Sequence, residues 1–74
     1  MFSQEMRQLR AGDAFTLAPT DPRVWVKCRG GFRPGTGGQL HACAPHVAVY
    51  PVTPAGQPVR SAEHLRAVRQ GVAA

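Results

Sequence analysis

Arg23-Val24-Trp25-Val26-Lys27-Cys28-Arg29 is the stretch on which the fold reading turns. Val24, Val26 and Cys28 alternate with Trp25, Lys27 and Arg29 at a period of two, the spacing at which successive side chains of a β-strand point to opposite faces. β-Branched and aromatic residues pack well on such a surface. The alternation predicts Val24, Val26 and Cys28 on the buried face, with Trp25, Lys27 and Arg29 on the outer one. Upstream, Gly12-Asp13 marks a turn, and Phe15 and Leu17 repeat the period of two in a second strand. Pro19-Thr20-Asp21-Pro22 joins the two as a loop, because a proline disfavours helical geometry in the residue before it. Downstream, residues 30–38 hold five glycines and predict a long irregular loop. Gln39–Cys43 follows as a strand with Leu40 and Ala42 inward, and Val47–Tyr50 as another. Pro51, Pro54 and Pro58 make the next tract an edge or a connector.

The ends read as helices. Ser3 stands where an N-cap belongs before a stub over residues 3–10. Ser61 caps Ala62–Gln70, Gly71 stops it, and Leu65, Val68 and Val72 form a narrow apolar stripe. Residues 71–74 are expected to fray. The predicted fold class is therefore mainly β: a small bent sheet or barrel of four to five short strands with short terminal helices. Only one such domain, residues 1–74, is expected, with a β core over about residues 9–60 and the helix over 62–70. Of 74 residues, 43% are hydrophobic but 11 are alanine, and a chain this short buries only roughly 60% of its unfolded surface. No apolar run reaches the about 20 residues of a membrane span. The first residues lack the basic and apolar segments of a secretory signal, so a cytoplasmic location is expected.

Three of these segments carry a resemblance. Leu9-Arg10-Ala11-Gly12-Asp13-Ala14-Phe15, the strand to Arg29, and Val47-Ala48-Val49-Tyr50-Pro51-Val52 together resemble the small SH3-like β-barrel accessory proteins of phages and mobile elements from GC-rich bacteria. The likeness spans residues 9–52. It implies an SH3-like barrel and an accessory protein acting inside a bacterial host cell, and it transfers no site residues.

Charge gives the functional lead. Nine cations, eight of them arginine, stand against four acids, a net charge of +5. GC-rich coding explains part of the arginine excess, since isoleucine and asparagine are absent. It does not explain placement: residues 22–62 contain Arg23, Lys27, Arg29, Arg33 and Arg60 and no acid. Arginine's planar fork of donors suits phosphate and carboxylate, and aromatic rings among cations can stack bases while the cations neutralise phosphates. The predicted binding surface is Arg23, Trp25, Lys27, Arg29, Phe32 and Arg33, with Arg60, Arg66 and Arg69 as a secondary set. The expected function is a non-enzymatic basic protein acting on nucleic acid or a nucleoprotein complex. Alternatively, the same surface docks on an acidic or nucleic-acid-binding protein and blocks a host machine of transcription or anti-phage defence, tryptophan and arginine being favoured interface anchors. Neither a membrane nor a small-molecule substrate is expected as a partner. The bland reading is Trp25 as core, with Lys27 and Arg29 as ordinary surface charge.

Cys28, His41, Cys43 and His46 are zinc-ligand types gathered in 19 residues, and four such ligands close a tetrahedral site. A small zinc-stabilised adaptor is thus a further alternative. The spacing argues against it, because Cys28 has no neighbouring ligand and the alternation sets it on the face opposite His41 and Cys43. The same argument opposes a Cys28–Cys43 disulfide. No cofactor is expected, and Cys28 reads as a small buried hydrophobe. Gly30 and Gly35 have the spacing of a phosphate-binding loop, but Thr36 stands where its lysine belongs. The four carboxylates are scattered, and no enzyme is expected.

Overall fold

The computed structural model describes residues 1–42 and 44–72. Six strands, all antiparallel, form one sheet: β1 (Gln4–Glu5), β2 (Ala14–Thr16), β3 (Trp25–Cys28), β4 (Gly31–Pro34), β5 (His41–Ala42) and β6 (Ala48–Val52), in the order β1-β6-β2-β3-β4-β5. A 3-10 turn over Met6–Gln8 follows β1, and one helix, α1 (Ala62–Arg69), follows the sheet. The protein is mainly β, as the alternation predicts, but the sheet stays open: β1 and β5 are edges, so no barrel closes.

Cross-strand register assigns the faces. Phe15 lies opposite Trp25 and Pro51, Trp25 opposite Pro34, Lys27 opposite Phe32, and Phe32 opposite His41. Directly opposed residues share a face, so Phe15, Trp25, Lys27, Phe32, His41 and Val49 project to one side. The 3-10 turn lays Met6 and Leu9 on that side, and Met6, Leu9, Phe15, Trp25 and Val49 make the main core. This inverts the expected burial of β3. Trp25 is 7% exposed, whereas Val24, Val26 and Cys28 are only half-buried. Alternation announces two faces; the element that covers one of them decides which is the interior.

The glycine-rich segment departs further from expectation. Instead of a long loop, Arg29-Gly30 is a two-residue turn that pairs Cys28 with Gly31 and starts β4. Gly30 has φ +83°, the conformation the third position of a type II turn requires. Gly31 serves a different purpose. A Cβ there would run into the His41 carbonyl oxygen, so only glycine lets β5 approach. Leu40 and Ala42, expected inward, are exposed, as is Leu17 at 40%, because no element covers them. The proline tract is not merely an edge or connector either, since Pro51 and Val52 lie in β6, between β1 and β2. Pro51 is tolerated because its backbone faces away from β2, where its carbonyl accepts the Val59 N–H at 3.0 Å and no ladder donor is missing.

At the N-terminus the expected helix over 3–10 is replaced by β1 and the single 3-10 turn. Met6 N–H donates to the Val47 carbonyl and Arg7 N–H to the Pro45 carbonyl, each at 2.9 Å, and these tertiary bonds outbid an isolated helical stub. The C-terminal helix forms as predicted: Ser61 Oγ accepts the His64 N–H at 3.0 Å, and Gly71 ends the helix at φ +76°. Leu65 is buried and Val68 half-buried, but Val72 is exposed. Of the expected fraying end, residues 73 and 74 lie outside the described residues.

Candidate nucleic-acid interface

The sheet divides the six predicted surface residues. Trp25, Lys27 and Phe32 share the core-side face, Arg29 sits at the β3–β4 turn, and Arg33, opposite Val26, projects to the other face. Phe32 and Arg33 are neighbours in a strand and therefore point apart. Had residues 31–34 been read as a strand, that separation would have been visible in the sequence.

Beyond Trp25 the main-core face runs out to the β5 edge, and there the cluster surfaces. Phe32 is half-buried and His41 exposed. Their rings stack, with centroids 5.4 Å apart and planes at 22°. Trp25 meets Phe32 at 5.2 Å and His41 at 5.3 Å, both edge-to-face, and Phe15 continues the chain of rings inward at 5.8 Å from Phe32. Such pairs stabilise by about 0.5–1.5 kcal/mol beyond the area they bury. Arg23 lies over the Trp25 ring, its Cζ 5.7 Å from the centroid, within cation–π range. Lys27 Nζ is 3.5 Å from the Leu9 carbonyl oxygen. Trp25 Nε1 is buried with no acceptor among the described residues, a donor the cluster itself leaves unserved. His41 enters this group through the β4–β5 register. As a sequence feature it stood out only as a zinc-ligand type.

Among the described residues, side-chain ion pairs join Glu5 to Arg7 and Asp13 to Arg69, and His46 Nδ1 lies 3.5 Å from Glu5 Oε2. Arg23, Lys27, Arg29 and Arg33 thus carry no carboxylate partner, and Arg23, Arg29 and Arg33 are exposed. Asp21 Oδ1 is engaged by the backbone N–H of Arg23 at 2.9 Å. Of the secondary set, Arg60 and Arg66 are exposed. Arg69 is committed internally: its guanidinium grips Asp13, with Nε 3.1 Å from both carboxylate oxygens. Glu5 titrates below the ordinary glutamate range, chiefly because Arg7 Nε donates to its Oε1 at 2.7 Å.

The zinc-ligand types do not converge among the described residues. Cys28 and His41 lie on opposite faces of the sheet, and His46 sits 3.5 Å from Glu5 Oε2. Cys43, with the ligand and disulfide readings that involve it, lies outside the described residues. A cleft of about 480 Å³ between α1 and the Arg10–Ala14 turn has the Asp13–Arg69 pair in its wall. Another, of about 720 Å³, is bounded by Pro22–Val24, Pro34–Thr36 and Thr53–Gly56, and Arg23 is the one charged residue of its lining. Neither presents the nucleophile and base pair that acyl or phosphoryl transfer would use. No helix among the described residues is long and apolar enough to cross a membrane. Comparison with protein-family models, curated proteins and solved structures yields no match.

Proposed function

We propose that the protein is a non-enzymatic nucleic-acid-binding protein whose interface is the outer end of the β3–β4–β5 face: Arg23, Lys27, Arg29, Phe32 and His41. The observation that carries this reading is the partition of charge. The described carboxylate ion pairs lie elsewhere, so Arg23, Lys27 and Arg29 stand without a salt-bridge partner beside the half-buried Phe32 and the exposed His41 ring. A polyanion neutralised by these residues releases condensed counterions, the main source of affinity in such interfaces. The resemblance to SH3-like accessory proteins of phages and mobile elements supports placing the target in a bacterial host, as free nucleic acid or within a nucleoprotein complex.

The test is the salt dependence of binding to a labelled oligonucleotide. Log affinity should fall linearly with log salt, and Arg23→Ala or Arg29→Ala should each lower the slope by about 1. Arg33→Ala, on the other face, should change it less. A flat salt response with all variants equal to wild type refutes the interface. Recovery of a host protein that survives nuclease treatment, with no oligonucleotide binding, transfers the surface to protein docking.

A further inference from the structure

The three outer rings show how a ligand would meet this face. Their centroid separations, 5.2, 5.3 and 5.4 Å, form a nearly equilateral triangle. Seen from His41, the Phe32 and Trp25 centroids therefore lie about 60° apart, Phe32 stacked on the imidazole and Trp25 meeting it edge-to-face. His41 is exposed. The ring is nonetheless held: β5 pairs with β4 at Phe32–His41, and the missing side chain of Gly31 lets the His41 backbone close on β4. An exposed flat ring backed by a second ring is a stacking platform for a planar group.

We infer that the ligand of this face is single-stranded nucleic acid, with one unpaired base stacked on the outer side of His41 and its phosphates tracking Arg23, Lys27 and Arg29. This deepens, and rests on, the nucleic-acid reading above. The cations bracket the platform along the strand direction. From Arg23 to Arg29 the chain advances by six residues, at most roughly 20 Å at about 3.3 Å per residue, a reach of a few nucleotides. A duplex buries the faces of its bases within the stack and would present only phosphate to the cations, leaving the imidazole unused. Base stacking on an aromatic side chain tolerates any base, so little sequence preference is expected.

The experiment compares three labelled probes: a short mixed-sequence single strand, the duplex it forms with its complement, and an abasic strand with the same number of phosphates. The intact single strand should bind at least tenfold more tightly than the other two. His41→Ala should weaken it by roughly five- to a hundredfold, bringing it toward the abasic probe without altering the salt slope. His41→Phe should restore it. Arg29→Ala should instead lower the slope for all three probes. Circular dichroism and urea unfolding check that each variant folds. If the three probes bind alike with a steep salt slope and His41→Ala is silent, the stacking inference is overturned while nucleic-acid binding stands. If none of the probes binds, both fail.

Discussion

Arg69→Met is the most informative single perturbation of the fold. The Asp13 and Arg69 side chains are 7% and 18% exposed, and the guanidinium ties the last turn of α1 to the turn before β2 across 56 residues of sequence. The Asp13 carboxylate accepts three N–H contacts from Arg69 and one from the Arg10 backbone, at 2.8 Å. Methionine would keep the aliphatic packing but leave a buried carboxylate with a single donor. Removing one partner of a buried pair costs about 3–5 kcal/mol; the residual exposure of Arg69 lowers the expectation to about 2–4 kcal/mol. For a domain of this length that is a large part of a total stability of roughly 4–11 kcal/mol, and it corresponds to a melting point lower by about 10–30 °C. Urea unfolding followed by the fluorescence of Trp25, the chain's one tryptophan, should show a lower midpoint at unchanged slope. Asp13→Ala combined with Arg69→Met should cost less than the sum of the single changes, with a coupling of about 1.5–3 kcal/mol. A single-variant cost below about 1 kcal/mol with no coupling would refute the reasoning, because that is how an exposed ion pair behaves.

Gly31→Ala should cost about 1–3 kcal/mol as overpacking, since the new methyl would meet the His41 carbonyl oxygen, and faster amide exchange at His41 and Ala42 should show β5 leaving β4. Phe15→Ala should cost about 3–5 kcal/mol, because Phe15 is fully buried, whereas Leu17→Ala, at 40% exposure, should stay within about 0.5 kcal/mol; urea midpoints measure both, and equal costs would overturn the burial assigned to Phe15. The lowered pKa of Glu5 means that the folded state favours its ionised form. Its contribution is therefore present above the ordinary glutamate range and lost as pH falls through the lowered pKa, so Glu5→Gln should flatten the low-pH stability profile, most visibly at low salt.

Local features of this protein were settled by the sequence alone. The Ser61 cap and the Gly71 stop act within four residues of chain, so α1 was legible without knowing what it packs against. The β character of residues 24–28 and the excess of arginine over acid were equally readable. The interior was not. Period-two alternation is symmetric, and Trp25 became core only because Met6, Leu9 and Val49, distant in sequence, close over its side of the sheet. Glycine composition pointed to a loop at residues 30–38, yet Gly31 is in a strand paired with β3, and it is glycine because β5 presses against it, a close approach that a linear sequence does not display. The site followed the same logic. Phe32 and Arg33 looked like one surface until β4 turned them to opposite faces. His41 joined Phe32 and Trp25 only through the pairing of β5 with β4, and which cations kept their charge free was decided when Arg69 folded back onto Asp13.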